Sequence, residues 1–178
     1  RAFRDIPIII LTAIAVTAVL VGGSWLIGVQ LNPWVFLAVL WLVTRRASII
    51  VDLANTLARR DRNEMALRLY DLALALWPDT AMRYNILSNR GAALLRSGQV
   101  DAAISTLEGV LAAGESSHLA IKIESMVRYN LGYAYELKGE DALSVTQYNQ
   151  AIDVLPGSLY ARAAQSALKR RKKQGSAH

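Results

Sequence analysis

The residues that could do chemistry are few in this chain of 178 amino acids, and they are scattered. There is no cysteine, and the two histidines are His118, among serines, and His178, at the end of the chain. The closest carboxylates, Glu136, Glu140 and Asp141, flank a glycine, where we interpret them as turn and helix-capping residues. The sequence therefore predicts no catalytic residues, no cofactor and no metal site, and the protein is not expected to be an enzyme.

The elements that carry these residues divide the chain into an apolar part and a polar part. Hydrophobic residues make up 53% of the sequence, yet no charged side chain occurs from Ile6 to Ile27, and most charges follow Arg45. The net charge of +6 comes from the first 46 residues and from the run Lys169 to Lys173, whereas the intervening residues are slightly acidic. This distribution argues against a nucleic-acid-binding face.

Residues 1–46 are predicted to be a membrane anchor, with helices over about 5–29 and 32–46. Ile6–Ile27 has 22 residues, enough at 1.5 Å per residue to cross a hydrocarbon core of ~30 Å. The segment is too long, and is followed by too much apolar sequence, for a cleaved signal peptide. Trp25 and Trp34 flank the connecting turn, as interfacial aromatic residues do.

The second apolar segment is short and leaves two interpretations open. It either crosses the membrane, with Arg45 and Arg46 extending to the lipid interface, or it forms a re-entrant helix. We favour the crossing, which puts all the N-terminal arginines on one side. By the positive-inside rule this predicts an integral protein of the bacterial inner (cytoplasmic) membrane with its polar domain in the cytoplasm.

The polar part shows helical periodicity, with breaks at regular intervals and no alternating strand pattern. The clearest unit has Leu131, Gly132, Tyr135, Gly139, Tyr148, Ala151 and Pro156 in the register of a helical hairpin. This unit resembles the tetratricopeptide repeat (TPR), and the same frame recurs twice upstream. The small residues Ala54, Gly91 and Gly132 mark the three units, at separations of 37 and 41 residues. A helical bundle with similar spacing by coincidence is the alternative.

The resemblance implies an all-α fold, in which an N-terminal transmembrane helical hairpin is followed by a three-repeat TPR α-solenoid with a C-terminal capping helix. The repeats are expected at 47–80, 84–117 and 125–158 within a domain spanning 47–158. The cap, at 159–173, is expected to pack through Leu159, Ala163, Ala167 and Arg170, and its basic tail contacts lipid headgroups or remains solvated. Residues 174–178 look like the remnant of an expression tag.

The resemblance also implies a function, because the first helices of such repeats line a concave groove that receives peptides. The groove frame falls on Asn55, Arg59, Asn89, Arg96, Tyr129, Asn130 and Tyr133. Some family members clamp a terminal carboxylate with cationic side chains in this groove. The corresponding positions here are Val51, Met126 and Asn130, which argues against that mode of binding. The sequence thus predicts a membrane-anchored scaffold, an assembly factor or accessory subunit of a membrane protein complex. The alternative is an adaptor that recruits a soluble protein or peptide tail. Protein partners and membrane lipid are expected, and nucleic acid is not.

Overall fold

The computed structural model describes residues 8–28, 32–115 and 119–175, and within these ranges it contains helices and no strand, as an all-α fold predicts. His118 and the first seven residues lie outside the described part. The eight helices are α1 (Ile8–Leu26), α2 (Pro33–Arg59), α3 (Asn63–Ala75), α4 (Thr80–Arg96), α5 (Val100–Glu115), α6 (Ile121–Leu137), α7 (Asp141–Val154) and α8 (Leu159–Gly175).

The two apolar segments form the pair α1 and α2, which pack against each other. Asn32 begins α2 by accepting a hydrogen bond from the Trp34 backbone N–H at 2.9 Å, and Pro33 occupies the first turn, where its missing N–H costs nothing. The helix then continues past Arg46 into the polar domain.

The described residues contain no single helix with both the length and the hydrophobicity of a membrane span, and the apolar stretch Ala13–Leu26 of α1 is too short. The two halves of α2, Trp34–Leu42 and Arg45–Arg59, meet that criterion only together, across a bend of 59°.

Beyond the bend, consecutive helices pack as hairpins: the C-terminal half of α2 with α3, α4 with α5, and α6 with α7. Each hairpin also contacts the next, through α2 with α4 and α4 with α6. The turn inside each hairpin has one residue with positive φ, namely Asp61 (57°), Gly98 (80°) and Gly139 (74°). The left-handed conformation favours glycine, so Asp61, in the turn of the first hairpin, departs from the preferred residue type.

The helices of a hairpin approach closely where the sequence has a small residue. A Cβ added to Gly132 would lie 2.6 Å from Cδ1 of Tyr148, and one added to Gly91 would lie 2.6 Å from Cδ2 of Leu107. Tyr148 and Leu107 are fully buried. The predicted pairing of a small residue with a large one therefore occurs in both hairpins.

The capping helix α8 packs on α6 and α7, but not through the predicted stripe. Leu159 is 69% exposed and Arg170 is exposed, whereas Ala161, Ala164 and Ala167 are buried. Alanines at a spacing of three residues let α8 approach α7 closely, so the helix turns this face inward. Of the expected residues Leu159, Ala163, Ala167 and Arg170, Ala167 is buried and Ala163 half-buried, whereas the prediction was wrong at Leu159 and Arg170.

Candidate functional site

The side chains that could do acid–base chemistry are engaged in structural contacts. Glu136 accepts a hydrogen bond from the Tyr148 hydroxyl at 2.6 Å, Glu140 pairs with Lys138, and Asp141 pairs with Arg171. Within the described ranges there is no group of three or more His, Cys, Asp or Glu side chains that could hold a metal ion. Glu136 and Asp141 thus join neighbouring helices, whereas the contact of Glu140 stays within the turn between α6 and α7.

An open cleft of about 550 Å³ lies on the inner face of the hairpin stack. The first helix of each hairpin contributes to it, and α8 closes one end. Its lining residues are Asn55, Ala58, Arg59, Asp61, Tyr70, Asn89, Ala92, Arg96, Met126, Tyr129, Asn130 and Tyr160. We call this feature the inner cleft.

Most of the groove residues expected from the sequence come together in the inner cleft, from three different helices. Tyr133 does not: it is exposed and lies outside the lining. The six that line the cleft are Asn55, Arg59, Asn89, Arg96, Tyr129 and Asn130.

One end of the inner cleft is basic. Arg59 donates a hydrogen bond to the Thr56 hydroxyl at 3.0 Å, and Arg96 donates through Nε to Oδ1 of Asn63 at 3.1 Å. Neither guanidinium forms an ion pair with a carboxylate in the described part of the chain. Asp61 is the acidic lining residue, so this end carries a surplus of positive charge that an anionic group could approach.

The three asparagines of the cleft differ in which of their side-chain donors and acceptors already form hydrogen bonds. Asn55 Oδ1 accepts from the Tyr70 hydroxyl at 2.6 Å, and Asn89 Nδ2 donates to Asn85 Oδ1 at 2.8 Å. Asn130 has no hydrogen bond to its side chain among the described residues, although it is only 8% exposed. Its amide can therefore donate and accept toward a peptide backbone in the cleft.

The other end of the inner cleft is aromatic. The Tyr129 ring lies 5.9 Å from that of Tyr148 and 6.1 Å from that of Tyr160, centroid to centroid, and the Tyr160 hydroxyl donates to Sδ of Met126 at 2.9 Å. Burial raises the pKa of Tyr129 and of Tyr160 above the ordinary value, while Arg170 opposes the rise for Tyr129. Both rings stay neutral at physiological pH and offer apolar area with a hydroxyl group.

Sequence reasoning missed Tyr160, because α8 was assigned only a capping role. The signal was its place in the stack: α8 follows the third hairpin and packs on α6 as the first helix of a fourth repeat would. A residue in the first turn of such a helix can face the cleft.

The residues predicted to lie at a membrane interface occupy two regions. Trp25 and Trp34, near the turn between α1 and α2, are 83% and 79% exposed. Arg45 and Arg46 lie at the bend of α2; Arg45 is exposed and Arg46 is half-buried.

Comparison with known proteins finds structural likeness without sequence matches. No protein-family model matches the chain, and no curated protein matches it by sequence. The solved structure described as the TPR2AB-domain:pHSP90-complex of yeast Sti1 aligns with a TM-score of 0.62 and 23% identity, over 73% of this chain and 49% of that one. The chain thus spans about half the length of the yeast chain.

A second likeness is to the N-terminal domain of stress-induced protein-1 (STI-1) from C. elegans. The TM-score is 0.55 at 17% identity, over 70% of this chain and 95% of that domain. The yeast structure is described as a TPR domain, so the likeness to it shows the TPR fold for the helical hairpins of this chain.

Proposed function

We propose that this protein is a membrane-anchored, non-catalytic TPR scaffold that binds a partner protein in its inner cleft, as an assembly factor or accessory subunit of a membrane protein complex. The observation that carries the proposal is the cleft itself. In the described part of the chain, it joins two arginines that form no ion pair, an asparagine whose side chain forms no hydrogen bond, and an aromatic end.

The chemistry of the cleft favours an extended segment of a protein. Asn130 offers a donor and an acceptor to a peptide backbone, and the tyrosines offer contact area for an apolar side chain. Arg59 and Arg96 favour an acidic side chain or a carboxylate at the opposite end. Such a segment would lie along the cleft with its acidic group toward α2 and its apolar group toward α8.

The membrane part of the proposal rests on the apolar pair α1 and α2. Exposed tryptophans near the turn, and arginines where the apolar half of α2 ends, match the side chains that occur at lipid interfaces. The polar repeats follow directly on the same helix, which would hold the cleft close to the bilayer.

Site-specific photo-crosslinking in native membranes tests this function. Benzoylphenylalanine in place of Tyr129 samples the inner cleft, and the same group in place of Leu72, exposed on α3, samples the outer surface. We expect a discrete crosslinked protein from the first position only. Arg96→Glu should weaken that crosslink, whereas Arg162→Glu, the same charge change on an exposed part of α8, should not. Equal products from both positions would contradict binding in the cleft.

An adaptor that recruits a soluble protein or peptide tail is the second candidate. The openness of the cleft and its basic end favour it, and the yeast neighbour is described as a complex with pHSP90. The fractionation of the crosslinked partner separates the two: an integral membrane partner supports the scaffold, and a partner released by salt supports the adaptor.

A further inference from the structure

The turn between α3 and α4 holds a tryptophan in an unusual conformation. Trp77 has φ of 47°, which bulky L-residues rarely adopt, and it precedes Pro78, which restricts it further. Its side chain is 75% exposed. Since the ring gains little from packing within the chain, neither local conformation nor the core explains a tryptophan here.

The position of this turn supplies an explanation. A small cavity of about 50 Å³ is lined on one side by Arg46, Ala47 and Ser48 of α2 and on the other by residues 76–79 and Met82. These α2 residues follow directly on Arg45, where the helix bends by 59° and its apolar half has ended. At 1.5 Å per residue they lie within roughly 5 Å of Arg45 along the helix axis.

That distance matches the headgroup layer of a membrane, which is about 5–8 Å thick on each side of the hydrocarbon core. If Arg45 marks the edge of the core, the α2 residues that face Trp77 across this cavity lie at the level of this layer. Tryptophan prefers that layer because its ring is apolar and its indole N–H can reach water or a headgroup.

We propose that Trp77 inserts into the headgroup layer of the bilayer that holds α1 and the apolar half of α2. The repeat domain then contacts the membrane at two places, α2 and the α3–α4 turn, and two contacts fix its orientation where one would let it pivot. This inference rests on the proposed membrane anchoring and adds a lipid-contacting residue outside the anchor.

Tryptophan fluorescence of the full chain in phosphatidylcholine–phosphatidylglycerol vesicles tests the insertion. The sequence has four tryptophans, so Trp25→Phe, Trp34→Phe and Trp41→Phe together leave Trp77 as the only one. We expect blue-shifted emission, protection from iodide, and loss of roughly half the emission when the vesicles contain lipid brominated near the headgroup.

A matched control moves the indole to the far end of α4. Adding Trp77→Phe and Gln99→Trp to the same background puts it on an exposed turn, beyond a helix of 17 residues that is ~25 Å long. There, iodide should quench the emission and brominated lipid should not.

Flotation of the vesicles separates the two ways of failing. If the protein does not float with them, the proposed anchoring is wrong and the insertion of Trp77 with it. If it floats, but Trp77 is as accessible to iodide as the indole of the control and insensitive to brominated lipid, only the inference about Trp77 is overturned.

Discussion

Single residues set how closely the helices of the polar domain can approach. Gly132 leaves the space that the Tyr148 ring fills, and the ring's hydroxyl reaches Glu136 on the same helix as the glycine. The small residue and the ring are visible in the sequence because their spacing follows the repeat. The carboxylate partner is not, since residues 136 and 148 belong to different helices and only the packed hairpin brings them together.

Gly132→Ala should lower the free energy of unfolding by about 1–3 kcal/mol, because the added Cβ would lie 2.6 Å from a buried ring that is held by its hydroxyl group. Urea unfolding followed by circular dichroism measures the effect. Gly109→Ala is the matched control: a Cβ there meets nothing within 4 Å, and alanine favours the helix, so stability should stay equal or rise by up to ~1 kcal/mol. Equal stability of Gly132→Ala and the unchanged protein would contradict the close approach.

Contacts between helices of successive hairpins join the repeats into one body. Tyr135 on α6 donates a hydrogen bond of 2.5 Å to Glu108 on α5, and Lys138 pairs with Asp101 at 3.0 Å. The repeat frame predicts which helices are neighbours but not these pairs, because the residues between the hairpins vary in number. The face of α8 was misassigned for a related reason: an alanine-rich helix offers several similar stripes, and only its neighbours select one.

Alkaline pH should loosen this junction through Tyr135. Burial, and then the hydrogen bond to Glu108, raise the pKa of Tyr135 from 10.0 to about 12. Because the folded state has the higher pKa, the stabilisation is complete below pH 10 and is lost as the pH rises through 12. Tyr135→Phe removes this ionisation, so the variant should lose less unfolding free energy between pH 10 and 12 than the unchanged protein.

Urea unfolding at a series of pH values compares the two proteins. At neutral pH the variant should be less stable by about 1 kcal/mol, the usual worth of one hydrogen bond. Parallel profiles above pH 10 would show that Tyr135 does not couple the junction to pH.

On the scale of the whole molecule, the arrangement joins an apolar helix pair to a stack of hairpins through one helix, α2. The sequence was enough to predict an all-α chain with a TPR-like domain, because small residues, turn residues and aromatic residues recur in one frame. It did not predict the bend of 59° or the division of the inner cleft into basic and aromatic ends. Both depend on where helices distant in sequence meet.

If the protein is anchored in a membrane as proposed, the path of the second apolar segment decides the side on which the inner cleft lies. The chain has no cysteine, so Gln99→Cys in the repeat domain and Gln30→Cys between the two apolar segments can each be probed alone with a membrane-impermeant maleimide on intact spheroplasts. If both segments cross, the positive-inside rule keeps the arginines and the repeats in the cytoplasm. Gln30→Cys should then be labelled from outside, and Gln99→Cys only after permeabilisation. Labelling of Gln99→Cys in intact spheroplasts would instead indicate a re-entrant second segment, and partners of the cleft would have to be sought on the opposite side of the membrane.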